Sequence, residues 1–93
     1  MRFEWDENKD RINKAKHGVS FETATRVWDD PHVWIYFDRF EDGEDRFHAV
    51  GIVGGLMLLT VVHTYRGDAE MEIVRIIGAR RATRHEKGAY QNS

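Results

Sequence analysis

The sequence contains no cysteine, so neither a disulfide framework nor a thiolate metal site can form. No apolar run approaches the ~20 residues that a membrane-spanning helix requires. The N-terminus, from Met1 to Asp6, lacks the apolar region of a signal peptide. These absences predict a cytoplasmic protein that makes no contact with a membrane.

Three common kinds of catalytic site also lack their sequence patterns. No glycine-rich loop lies between a predicted strand and a predicted helix, where a nucleotide phosphate would bind. No serine or cysteine nucleophile is indicated. The five histidines have no i, i+4 pair and are too scattered for a tetrahedral metal site; they are His17, His32, His48, His63 and His85. We therefore expect neither a metal ion nor a cofactor.

Charge is unevenly distributed along the chain, although the formal net charge is only −2. Residues 1–45 carry 7 basic and 12 acidic side chains, a net −5, whereas residues 46–93 carry 7 basic and 4 acidic, a net +3. All the basic residues of the second half except Lys87 are arginines, whose forked guanidinium suits phosphate. The small net charge argues against long, non-specific DNA binding and leaves room for a local phosphate site.

Local signals predict two short helices at the start of the chain. The alternation around Phe3 and Trp5 indicates either a short first strand or an extended arm. Asp6 can cap a helix that runs from Glu7 to His17 and ends before Gly18.

Capping residues also predict the second helix and a last helix. Ser20 can cap an apolar face that continues to Trp28, and Pro31 follows its end. Near the C-terminus, Thr83 and Glu86 have the spacing of a capping box and predict a last short helix.

Between the second and the last helix, apolar residues recur at every second position, which predicts β-strands. A polar loop at 38–45 and two turns separate four of them, at Val33–Phe37, Arg46–Val53, Leu56–Tyr65 and Glu70–Gly78. The expected architecture is α+β: one domain over residues 1–93, with two N-terminal helices, a four-stranded antiparallel meander and a short C-terminal helix.

A two-residue turn at Gly54-Gly55 would pair Val53 with Leu56 and so fix which side chains share a face. One face would then pack on the helices with Phe47, Ala49, Val53, Leu56, Leu58 and Val62. The other would gather polar groups at one end, namely Arg46, His48, His63 and Tyr65. A slip of one residue would exchange the faces.

In the segment from Arg75 to Thr83, an apolar strand is followed by a basic helix start, and the segment contains three arginines. This pattern indicates either a charged surface or a phosphate site. Together with Arg, His and Glu side chains from elsewhere in the chain, this segment forms a candidate cluster. Its members are Glu44, Arg46, His63, Arg66, Arg75 and Arg80, with Lys16 and His17 less central. Such a set suits metal-free RNA cleavage, in which the 2′-OH attacks its own phosphate. For each residue alone, a surface ion pair or a helix-end charge explains the side chain equally well.

An ordered set of short motifs extends over nearly the whole chain: Trp5-Asp6, Lys16-His17-Gly18-Val19, Asp29-Asp30-Pro31, Gly43-Glu44-x-Arg46, Thr64-x-Arg66-Gly67 and Arg75-Ile76-Ile77-x-Ala79-Arg80. With these spacings the sequence resembles the BrnT family of bacterial toxins. The resemblance implies a RelE-like fold and the toxin half of a type II toxin–antitoxin pair, an endoribonuclease that inhibits translation. It further implies neutralisation by a cognate BrnA-type antitoxin, through which alone the toxin would meet DNA.

The resemblance also assigns residues. Glu44, Arg66, Arg75 and Arg80 match family positions and are the catalytic or RNA-phosphate candidates. Tyr65 stands where the family often has glutamate, so Glu44 or His63 would have to act as the base. An alternative is a non-catalytic binding module that acts mainly as a co-repressor in complex with a DNA-binding antitoxin.

Overall fold

A computed structural model describes all 93 residues and places three helices beside a five-stranded sheet. The elements in chain order are β1 (Arg2–Glu4), α1 (Glu7–His17), α2 (Phe21–Thr25), a 3₁₀ turn (Arg26–Asp29), β2 (Trp34–Glu41), β3 (Glu44–Val53), β4 (Met57–Gly67), β5 (Glu72–Arg81) and α3 (Arg84–Gln91). The strand order is β1-β5-β4-β3-β2. The α+β class is confirmed, but the expected four-stranded meander is wrong by one strand, because β1 pairs in parallel with β5.

The first helix has the bounds that its capping residues predict. The Asp6 side chain accepts a hydrogen bond from the Lys9 backbone N–H at 3.0 Å, and Gly18 ends α1 with φ 73°. From the middle of α1, Asn13 accepts from the Ala79 N–H at 3.1 Å and donates to the Ala79 carbonyl at 2.8 Å. Since β1 pairs only as far along β5 as Arg75, Asn13 covers the edge of β5 beyond it.

Most strand boundaries differ from the sequence prediction by one or more residues, and two of these differences affect the site. The polar loop expected at 38–45 is instead a two-residue turn, because Asp42 (φ 53°) and Gly43 (φ 78°) both adopt positive φ and let β2 and β3 pair almost to the tip. Strand β5 continues to Arg81, pairing Arg80 with Thr60. Arg80 therefore lies in a strand rather than at a helix start, and Thr83 caps α3 with the predicted capping box.

The register between β3 and β4 is shifted by one residue from the predicted one. The connecting loop has three residues, because Leu56 joins the two glycines and is 92% exposed. Val53 consequently pairs with Met57, and Phe47 pairs with His63. Because side chains alternate between faces, the predicted grouping of Arg46, His48, His63 and Tyr65 on one face is wrong for the two β4 residues.

The two faces of the sheet have different surroundings. The helix face packs against α2 and the 3₁₀ turn through a core of buried apolar residues, among them Phe21, Val27, Leu59, Val61 and Ile76. The opposite face, which we call the arginine face, carries Arg46, Arg66, Arg75 and Arg80. Helix α3 covers only one end of the arginine face, where Glu86 reaches Thr60 and Arg80.

Candidate active site

Glu86 is the most heavily hydrogen-bonded carboxylate of the arginine face. Both terminal nitrogens of Arg80 donate to it, at 2.7 and 3.2 Å. The hydroxyls of Tyr36 (2.7 Å) and Thr60 (3.0 Å) and the backbone N–H of Thr83 (2.8 Å) donate as well. Burial would raise the pKa of Glu86, but these donors outweigh it and hold the pKa well below the usual carboxyl range. Arg80 is thus fixed in one orientation by a charged group that stays ionised.

A short hydrogen-bonded chain extends from Glu86 across β2 to β3. The Tyr36 hydroxyl also lies 2.6 Å from Nδ1 of His48. Because an ionised Glu86 can only accept, the Tyr36 hydrogen points to Glu86, and His48 must donate from Nδ1. Burial lowers the pKa of His48, against the opposing effect of Asp38, 3.5 Å from its Nε2. His48 therefore links the Tyr36 hydroxyl to Asp38 on the far side of the imidazole ring.

A second group of charges, which we call the arginine row, crosses four strands of the same face. Arg75 donates to Glu4 at 2.8 Å, and Arg66 donates to Glu44 at 3.0 Å and lies 3.9 Å from Glu4. Arg46 lies 3.7 Å from both Glu44 and Asp42, and its buried Nε has no hydrogen-bond partner. Three guanidiniums thus face three carboxylates, and because each guanidinium has five N–H groups, hydrogen-bond donors remain available to an anion.

Accessibility separates the members of the row. The side chain of Arg66 is 47% exposed and that of Arg75 is 29% exposed, whereas that of Arg46 is only 12% exposed. Arg75 pairs with Thr64 and Arg80 pairs with Thr60, so the two arginines lie four β4 residues apart, about 13 Å along the sheet. Arg66 and Arg75 both approach the same oxygen of Glu4, so one anion can contact both, whereas Arg80 lies farther along the strand beside Glu86.

Comparison with known proteins identifies the family. The family described as "Ribonuclease toxin, BrnT, of type II toxin-antitoxin system" matches residues 5–86. The chain belongs to the BrnT family. It is also similar to the crystal structure of the Brucella abortus ribonuclease toxin BrnT, with 27% identity and a TM-score of 0.68. That likeness covers 90% of this chain and 99% of the Brucella chain. No curated protein sequence matches significantly.

The BrnT match includes every residue that the sequence singled out, but the structure does not bring all of them together. Glu44, Arg46, Arg66 and Arg75 form the arginine row, and Arg80 lies in the Glu86 cluster on the same face. Lys16 and His17 are exposed at the end of α1 and make no side-chain hydrogen bond or ion pair. His63 is fully buried on the helix face, with its ring against Trp28 at 4.9 Å.

Three polar residues of this site were missing from the sequence prediction. Glu86 was predicted only as a helix cap, and Tyr36 only as part of a strand pattern. Glu4 lies in β1, whose pairing with β5 no local pattern indicates. The period-two spacing of Tyr36 and Trp34 and the capping-box position of Glu86 were the available signals.

Two further findings concern the molecule as a whole. No group of three or more His, Asp or Glu side chains is arranged to hold a metal ion. None of the helices combines the length and apolar character that crossing a bilayer requires.

The burial of His63 predicts a pH-dependent stability. Burial lowers the pKa of His63 to about 4, whereas the unfolded chain has the ordinary value near 6.5. Between these values the unfolded state binds the extra proton, so stability is full above pH 6.5 and falls as the pH drops. We expect His63 to account for a loss of about 2 kcal/mol between pH 7 and pH 5.

Urea unfolding at the two pH values measures this loss. His63→Leu, which has no titrating ring, is expected to lose correspondingly less stability than the wild type over the same interval. An equal loss in both proteins would contradict the assignment.

Proposed function

We propose that this BrnT-family toxin is a metal-independent endoribonuclease that inhibits translation in the cytoplasm. The observation that carries the proposal is the arginine row, in which the accessible guanidiniums of Arg66 and Arg75 lie near the carboxylate of Glu44. The row lies on the face of the sheet that α2 does not cover. It offers phosphate-binding groups and a proton acceptor at one place, which are the groups that cleavage by the RNA's own 2′-OH requires.

The proposed reaction begins when an RNA phosphate replaces Glu44 as the partner of Arg66. Glu44 then accepts the proton of the adjacent 2′-OH, whose oxygen attacks the phosphorus. Arg66 and Arg75 stabilise the additional negative charge on the phosphate oxygens. The bond from phosphorus to the 5′ oxygen breaks, and water protonates that oxygen. The products are a 2′,3′-cyclic phosphate and a 5′-hydroxyl.

The other candidate residues hold the RNA in this proposal. Arg80, held by Glu86 but with donors left over, contacts a neighbouring phosphate. Arg46 supports Glu44 from the side away from Arg66. Lys16 and His17, both exposed, contact RNA outside the row. We assign no catalytic role to His63, because its ring is buried on the opposite face.

A cognate BrnA-type antitoxin neutralises the toxin in this proposal, and the toxin meets DNA only through that antitoxin. Support comes from the family, which is defined as part of a type II toxin–antitoxin system.

The experiment that tests the enzyme proposal is RNA cleavage by the purified chain in excess EDTA. We expect cleavage to continue at an unchanged rate and to leave 2′,3′-cyclic phosphate ends, detectable because the 3′ end cannot be labelled by ligation until the phosphate is removed. Cleavage that stops in EDTA and returns with a divalent cation would overturn the metal-free mechanism. A wild-type protein that cuts no RNA but represses transcription together with its antitoxin would favour the co-repressor role instead.

A further inference from the structure

The helix face is not covered along its whole length. On this face, several apolar side chains of β2, β3 and β4 lie beyond the area that α2 and the 3₁₀ turn cover. Phe37 is 54% exposed and Phe40 is 68% exposed, and Ile35 and Tyr65 are each more than a third exposed. Together with the half-buried Phe47, we call these five residues the aromatic patch.

The patch is continuous across three strands. The rings of Phe37 and Phe47 meet edge to face at 5.7 Å, and those of Phe47 and Tyr65 meet at 5.1 Å. None of the five residues belongs to the buried core cluster. Contiguous exposed apolar surface of this kind marks an interaction site on a small protein, and aromatic side chains are the usual anchors of protein interfaces.

Acidic side chains surround the patch. Asp45 pairs with Phe40 and Glu72 pairs with Gly67, so both carboxylates lie on the helix face beside the aromatic rings. Asp42 is exposed in the turn at the tip of the hairpin that joins β2 and β3.

The charge of this rim selects among the occupants of the patch. RNA would be repelled here, because its phosphates would face carboxylates. The protein's arginine row lies on the opposite face of the sheet. A second copy of the chain would bring another acidic hairpin to the same interface. A protein segment with apolar and basic side chains satisfies both the rings and the rim.

We propose that the aromatic patch is the docking surface for a segment of the cognate antitoxin that carries apolar and basic side chains. The inference rests on the proposed function in naming the antitoxin as the partner. Docking on the helix face leaves the arginine row open, so inhibition requires another antitoxin segment that passes round the β2 edge. The patch anchors the antitoxin, and a separate contact blocks the reaction.

The test uses the full chain and the tagged protein encoded by the reading frame adjacent to its gene. In Phe37→Ser/Phe40→Ser, two largely exposed rings are removed, so the fold is retained. We expect binding by biolayer interferometry to weaken at least 100-fold, while RNA cleavage by the free toxin stays within twofold of the wild type. Glu72→Lys is expected to weaken binding about tenfold, with a larger effect at low salt because the rim contact is electrostatic. Leu56→Ser, which removes an exposed apolar side chain at the other end of the sheet, is the matched control and should bind normally.

Each of the following outcomes would overturn the proposal that the aromatic patch binds the antitoxin, and each shows which assumption is wrong. Normal binding by the double variant shows that the antitoxin docks elsewhere, and leaves the toxin–antitoxin pairing intact. Normal antitoxin binding with lost RNA cleavage assigns the patch to RNA. If the wild type does not bind the neighbouring protein, the pairing itself fails, and the docking surface fails with it. If the wild type sediments as a dimer that the double variant abolishes, the patch joins two copies of the chain.

Discussion

Replacing Arg75 with alanine is expected to lower the rate of RNA cleavage by about 10²–10³-fold, the usual cost of removing one donor that stabilises transition-state charge. Arg75 makes the shortest ion pair of the arginine row, 2.8 Å to Glu4 of β1. The side chains of Arg75 and Glu4 are 29% and 31% exposed, so solvent screens the ion pair and its loss changes the free energy of unfolding by no more than about 1 kcal/mol. Single-turnover cleavage of a short RNA, together with urea unfolding, separates the two effects.

The same strand supplies the matched control. Arg81 pairs with Leu59 and so belongs to the opposite face from Arg75. Arg81→Ala removes the same charge from the protein, and its cleavage rate should remain near that of the wild type. Arg75→Lys keeps the charge and loses the forked geometry, so its rate should lie between those of the wild type and Arg75→Ala. Equal losses in Arg75→Ala and Arg81→Ala would show that only total charge matters and would refute a specific site.

Replacing Glu86 with alanine should have the largest effect on stability. The substitution leaves Arg80 without its partner, and the Tyr36 and Thr60 hydroxyls and the Thr83 N–H lose their acceptor. Breaking one side of a buried ion pair costs about 3–5 kcal/mol. For a domain of this size we expect the melting temperature to fall by more than about 12 °C, which differential scanning calorimetry measures.

Two further variants test the cause. Glu70→Ala, in the exposed turn before β5, removes the same charge and should leave the melting temperature within about 2 °C of the wild type, as surface substitutions usually do. Glu86→Gln keeps the shape of the side chain and loses its charge, so an intermediate effect is expected.

The stability that ionised Glu86 contributes is present above its unfolded pKa of 4.5 and is lost as the pH falls below that value, because its pKa in the fold is lower. A Glu86→Ala protein as stable as the wild type would contradict the structural role of the Glu86 cluster.

The effect of Glu86 on activity follows from its effect on Arg80. Without Glu86 the guanidinium of Arg80 is no longer held by two hydrogen bonds, so its contact with RNA should weaken. At a temperature where Glu86→Ala is still folded, cleavage should therefore fall less than in Arg75→Ala, because Arg80 holds a neighbouring phosphate and not the reacting one.

Much of the local structure is predictable from the sequence because its causes lie within a few residues. Asp6 and Gly18 fix the two ends of α1, and Thr83 with Glu86 fixes the start of α3. The arginine row was predictable in part, since the order and spacing of Glu44, Arg66 and Arg75 match a family pattern. Its geometry was not, because Glu4 joins it through a parallel pairing with a strand some 70 residues away in the sequence.

By itself, the sequence determined the class of the fold, the positions of the helices and the kinds of side chain available for phosphate chemistry. Only the tertiary structure decided which of these side chains share a face. The physical reason is that side chains in a strand alternate with a period of two, so that one added loop residue, Leu56, exchanges the faces of β4. That single residue moves His63 into the core and Tyr65 into the aromatic patch, and leaves the arginines on the open face of the sheet.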